Sequence, residues 1–152
     1  MSRTQDPAPT ELVVCTGTVA APLNVVWDLV SDFGGVGRWS VGPVKCTVDG
    51  SGVGAVRTVQ RGNRTVRERL EHWDASDHSF SYSFVDDLPL AVEHVVATIA
   101  VRGGDVSEIT WSARGDVAEA DRTVVLRTLD RFFTERIGEL QAIAPRLAAE
   151  CD

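Results

Sequence analysis

The chain has 152 residues, 15 basic and 22 acidic side chains, and a formal charge of −7. That length suits one domain able to bury about two-thirds of its unfolded surface without staples, and 43% hydrophobic residues is an ordinary globular composition. The acidic balance argues against binding nucleic acid or an anionic membrane through general electrostatics. Three widely spaced cysteines (Cys15, Cys46 and Cys151) form no CxxC pair, so neither a disulfide framework nor a cysteine-built zinc site is expected. Odd, unpaired thiols suit a reducing cytoplasm. The N-terminal MSRTQDPAPTE lacks the apolar stretch of a signal peptide, and no run is long enough to span a membrane.

Residues 1–10, polar and carrying Pro7 and Pro9, are expected to be a flexible tail, and residues 11–149 one domain. The β-rich run from Glu11 to Val19 predicts a first strand. Pro22 then opens a helix in which Val26, Leu29, Val30 and Phe33 recur at three- and four-residue spacing. Gly34, Gly35 and Gly37 break it, leaving Arg38 and Trp39 on a short second helix or tight turn. Six strands are predicted next, at Val44–Val48, Val53–Gln60, Thr65–Trp73, Ser79–Phe84, Val92–Val101 and Ser107–Ala113. Two of them alternate cleanly. Phe80, Tyr82 and Phe84 interleave with serines, and Ile109 and Trp111 with polar residues, as in an antiparallel sheet covered on one face.

From about Asp121 the pattern turns helical. Val125, Leu129, Phe132, Phe133, Ile137, Leu140 and Ala144 form an apolar stripe, with Arg122, Arg127, Asp130, Arg131, Glu135 and Glu139 on the remaining surface. Pro145 is expected to end or kink this helix, whose length of about 36 Å would cross the sheet. One strand, a short helical insert, six strands and a long C-terminal helix define an α+β domain.

Gly62-Asn63 reads as a two-residue hairpin turn between the third and fourth strands. The resulting register pairs Arg61 with Arg64 next to the turn, and sets Val59 with Val66, Arg57 with Glu68 and Ala55 with Leu70 on one face. Thr58 with Arg67 and Val56 with Arg69 take the other. Arg57 and Glu68 therefore point towards the core, where each offsets part of the other's desolvation. His72 falls on the same face, opposite Val53. Two readings stand: a cross-strand ion pair of purely structural use, or polar groups lining an interior pocket. Metal binding by His72, His94 and Glu68 lacks a recognised ligand spacing, and neither Cys15 nor Cys46 has an evident base partner. The glycines at 50–54 are no phosphate loop, since no helix of a βαβ unit follows them, and no GxSxG element occurs.

The segments VVWDLVSDFGGVGRW (25–39), GAVRTV (54–59), VRERLEHWDASDHSFSYSF (66–84), LPLAVEHVVAT (88–98) and SEITWSA (107–113) resemble the START-like, or SRPBCC, superfamily, near its polyketide cyclase/dehydrase and lipid-transport branch. The resemblance spans about residues 12–144. It implies a helix-grip fold: a curved seven-stranded antiparallel sheet wrapped around a long C-terminal helix, with a short helical insert after the first strand. Members include aromatase/cyclases, abscisic-acid receptors, lachrymatory-factor synthase and lipid carriers. In the synthase, an arginine in a GxVRxV strand and a glutamate in an ExL strand are the implicated catalytic pair, which match Arg57 and Glu68.

The resemblance further implies an internal cavity for a hydrophobic small molecule. Its expected lining is Trp39, His72, Phe80, Tyr82, Phe84, Val95, Trp111 and Phe133. Val95 stands where relatives often carry the tyrosine of a YxAT motif, which removes a hydroxyl. The loop Asp86–Ala91 corresponds to a pocket-mouth gate, stiffened by Pro89. The expected function is binding of a hydrophobic ligand, with a cofactor-independent cyclisation, dehydration or isomerisation of a polyketide-like metabolite. Arg57 would polarise a substrate oxygen while Glu68 shuttles a proton. The alternatives are a carrier, sensor or self-resistance binder, or an accessory protein acting through its surface. No cofactor, metal or nucleic acid is expected; a homodimer is left open.

Overall fold

The computed structural model describes residues 10–150, so the expected tail (1–10) apart from Thr10, and Cys151, lie outside the described residues. The turn residues dictate the chain's path. Strand β1 (Thr10–Val19) leads into helix α1 (Leu23–Ser31), with Pro22 one residue before it at the N-cap. A 3₁₀ turn at Val36–Trp39 follows the glycine break. Then come β2 (Val44–Asp49), β3 (Val56–Arg61), β4 (Arg64–Asp74), β5 (Ser79–Phe84), β6 (Glu93–Gly103) and β7 (Ser107–Asp116). They form one seven-stranded antiparallel sheet in the order β1-β7-β6-β5-β4-β3-β2, so each strand from β2 onward pairs with its successor and β1 closes against β7. The expected α+β helix-grip architecture is the one observed.

Helix α2 (Arg122–Glu150) buries Val125, Leu129, Phe133, Ile137, Leu140 and Ala144. It crosses β1 closely enough that a Cβ on Gly17 would stand 2.5 Å from Ile137 Cγ2, so glycine is what permits the approach. The helix passes through Pro145 instead of ending there. Proline sacrifices only the bond to the Gln141 carbonyl, and Gln141 is on the exposed side of the helix, where water can satisfy it. Glu139, expected on the polar face, is buried.

The β3–β4 hairpin has the expected register, with Arg57 opposite Glu68 and Arg61 opposite Arg64. Gly62 takes φ +59° while Asn63 is not in the left-handed region, the pattern of a type II′ turn; only the first of the two residues needs a positive φ. The parity of β4 then changes at a bulge. Leu70 pairs with Tyr82 but His72 pairs with Ser81, so one residue is interpolated. Beyond it Trp73 shares the Phe80 side of the sheet, still partly open to solvent, against Trp27 at 5.4 Å and Phe80 at 5.9 Å between ring centroids. His72 is turned out to solvent, not towards the core, and Val53 lies before β3 begins, exposed.

Candidate functional site

Alternation along β3 sends Arg57, Val59 and Arg61 to the concave face, and along β4 it sends Arg64, Val66 and Glu68 there. Tyr82 of β5 and Trp111 of β7 continue this wall. Val36 and Trp39 close it from the 3₁₀ turn, and Phe132 and Arg136 from α2. These side chains surround a cavity of about 80 Å³. That is room for about two or three waters at ~30 Å³ each, well under the ~300–1,000 Å³ of a typical drug-sized pocket.

Arg57 is 3% exposed and Glu68 6%. Arg57 Nε donates to Glu68 Oε1 at 2.7 Å, and a terminal guanidinium nitrogen donates to the Phe33 carbonyl at 3.1 Å. That carbonyl is available because α1 has ended two residues earlier. The guanidinium carbon also lies 4.3 Å from the Phe33 ring centroid and 5.1 Å from that of Tyr82. Ion pair, carbonyl and aromatic faces together offset the cost of burying the cation.

The Tyr82 hydroxyl accepts a hydrogen bond from Trp111 Nε1 at 3.1 Å, and its own proton finds no acceptor among the described residues. Full burial, reinforced by the Glu68 charge, pushes the phenol well above its ordinary value, so it stays a neutral donor. Trp39, 2% exposed, likewise has an indole N–H without an acceptor among the described residues.

A second charged group lies beside this pair. Glu139 is 8% exposed and accepts the Val41 backbone N–H at 2.7 Å. It also accepts from Arg61 at 3.2 Å, while Arg136 Nε stands 2.8 Å away as an ion pair. Burial, and then the neighbouring Arg136, lower the Arg61 pKa; Glu139 opposes them. Periodicity assigned Glu139 to the wet side of the helix and passed over Arg61, Arg64 and Arg136. A signal for them existed. The same register that turns Arg57 inward turns Arg61 and Arg64 inward, and Arg136 lies one turn beyond Phe132.

Of the expected lining residues, Trp39, Tyr82 and Trp111 join Arg57 and Glu68 around the cavity. Five others lie elsewhere. Phe80 is fully buried within an aromatic cluster that includes Trp27, Phe33 and Trp73. Phe133 supports the wall from behind, stacked on Trp111 at 5.8 Å. Phe84 and Val95 edge a surface groove beside the loop 85–92, which does not border the Arg57 cavity. His72 and His94 are both exposed, His94 against Asp116 at 2.7 Å, so neither meets Glu68 as a ligand set. Burial raises the pKa of both the Cys15 and Cys46 thiols, which disfavours thiolate at either.

A curved sheet closed by its C-terminal helix, with the Arg57–Glu68 pair sealed inside, defines a helix-grip protein with a polar interior. The chain belongs to the family described as "Polyketide cyclase / dehydrase and lipid transport", whose model matches residues 12–145. A search of curated proteins finds no significant match. Among solved structures, a Thermobifida fusca protein is similar at 26% identity and TM-score 0.77, over 89% of this chain and 93% of that one. The Zhui aromatase/cyclase from Streptomyces sp. R1128 is similar at 17% identity and TM-score 0.68, over 88% and 93%. Norcoclaurine synthase from Thalictrum flavum matches at 18% identity and TM-score 0.70, over 95% and 98%.

Proposed function

We propose that this protein takes a hydrophobic small molecule between the sheet and α2 and catalyses its cofactor-independent cyclisation, dehydration or isomerisation, the ligand being polyketide-like. The observation that carries this reading is the buried Arg57–Glu68 pair on the wall of a cavity that also holds the neutral Tyr82 hydroxyl. In such a site a substrate carbonyl takes the place of Glu68 on the guanidinium, and Arg57 stabilises the negative charge that develops on oxygen. Glu68, released from the arginine, takes a proton from the adjacent carbon and returns it to a departing hydroxyl. Tyr82 is placed to donate a second hydrogen bond. The family match and the aromatase/cyclase neighbour support this chemistry. The free thiols of Cys15 and Cys46 suit a cytoplasmic setting.

Native mass spectrometry of protein purified from its own host identifies the ligand. With that substrate, Arg57→Ala and Glu68→Gln are each expected to lower turnover by about 10²–10⁴-fold. Unchanged turnover in both refutes the assignment. A second reading is a sensor or carrier, and under either reading a cavity of this volume has to open to admit the ligand. Ligand recovered unchanged after prolonged incubation would decide for the sensor or carrier.

A further inference from the structure

The arginines beyond Arg57 have no part in the proposed chemistry, yet they are gathered at the same cavity. Arg57, Arg61, Arg64 and Arg136 all line it, against Glu68 as the single lining carboxylate. Counting Glu139, which holds Arg61 and Arg136, the buried and half-buried groups keep a formal charge of +1, and the exposed Arg64 adds another at the rim, in a chain whose net charge is −7. Such an excess of one sign along a low-dielectric wall focuses field on whatever enters. At the hairpin end, Arg61 and the exposed Arg64 are directly opposed across β3 and β4, a like-charge pairing that an anion bound between them would relieve. Arg64 has no ion-pair partner among the described residues. The buried Trp39 N–H, unpartnered on the same wall, is a further donor lacking an acceptor.

We propose that Arg61, Arg64 and Arg136 form an anion-recognition subsite at the hairpin end of the cavity. It takes a carboxylate or phosphate carried by the apolar ligand, and Glu139 occupies two of its three arginines until that group arrives. Forked guanidinium donors match either oxyanion in bidentate fashion. The proposal rests on the reading of the interior as a ligand cavity and narrows the ligand class to amphipathic anions.

The test titrates ¹⁵N-labelled protein with benzoate, phenyl phosphate and the neutral analogue benzamide, following the tryptophan indole resonances at low and high salt. Both anions are expected to bind about tenfold more tightly than benzamide, to shift the Trp39 indole signal, and to weaken with salt. The tighter of the two names the anionic group. Arg64→Gln, a substitution at an exposed side chain that should fold normally, is expected to weaken the anions about fivefold and leave benzamide unchanged. Glu139→Gln keeps an acceptor for Val41 and is expected to tighten the anions alone, which a purely structural latch would not do. Equal binding of all three probes with no response to Arg64→Gln overturns the anion subsite while leaving the cavity reading intact. Failure of every probe to bind overturns both.

Discussion

Replacing Arg57 by methionine leaves Glu68, 6% exposed, with no other hydrogen-bond partner among the described residues. The variant loses the 2.7 Å ion pair, the 3.1 Å bond to the Phe33 carbonyl and the stacking on two aromatic rings. Stranding one member of a buried pair costs about 3–5 kcal/mol, a large part of the ~5–15 kcal/mol that holds a domain together. Glu68→Leu strands the guanidinium in the same way, relieved only partly by the Phe33 carbonyl and the rings. The double variant Arg57→Met/Glu68→Leu removes both charges for side chains of similar bulk and is expected to lie within about 1 kcal/mol of the parent, or above it. The assay is urea unfolding of all four proteins, with the midpoints read at constant m-value. An Arg57→Met loss under about 1 kcal/mol, or a double variant as unstable as the two singles added, refutes the claim that the pair is sealed and mutually compensating. If the proposed function holds, the double variant is stable and inactive, which separates the cost of the site from its use.

Tyr82 carries a pH signature. Its phenol titrates higher in the folded than in the unfolded protein, so the folded state holds more protons and stability falls as pH rises above about 10, by ~1.4 kcal/mol per unit. Cys15 and Cys46 act in the same direction from pH 9, so the measurement is the difference between the parent and Tyr82→Phe, which should be constant below pH 10 and move against the parent above it. A difference independent of pH up to 11 contradicts the burial of that hydroxyl. Gly17→Ala drives a methyl to 2.5 Å from Ile137 Cγ2 and is expected to cost about 1–3 kcal/mol in thermal or urea unfolding. A smaller cost of Gly17→Ala in an Ile137→Ala background would locate the strain at the β1–α2 contact, and a neutral Gly17→Ala would disprove the close approach.

Much of this protein is determined by short-range pattern. Element order, the amphipathic stripe of α2 and the β3–β4 register all follow from residues within one element or one hairpin. The two-residue turn at Gly62-Asn63 leaves only one pairing that keeps Val59 and Leu70 dry. The inward Arg57–Glu68 pair is legible for that reason, since a turn and an alternation are local quantities.

Tertiary structure decided the rest. The bulge after Leu70 reverses the parity of β4 so that Trp73 packs on Trp27 and Phe80, partners 46 residues before it and on the next strand, and His72 is carried outward. Glu139 is buried against helical periodicity because Arg61, from a hairpin 78 residues earlier, and the Val41 N–H satisfy its charge there. The extent of the cavity depends on where α2 lies over the sheet. That position places Phe132 and Arg136 on the wall while Phe133 supports it from behind. Local sequence sets which face of a strand or helix is dry. Only the packing of distant elements sets which charges find a partner there, because burial and electrostatic compensation belong to the assembled interior and to no single segment.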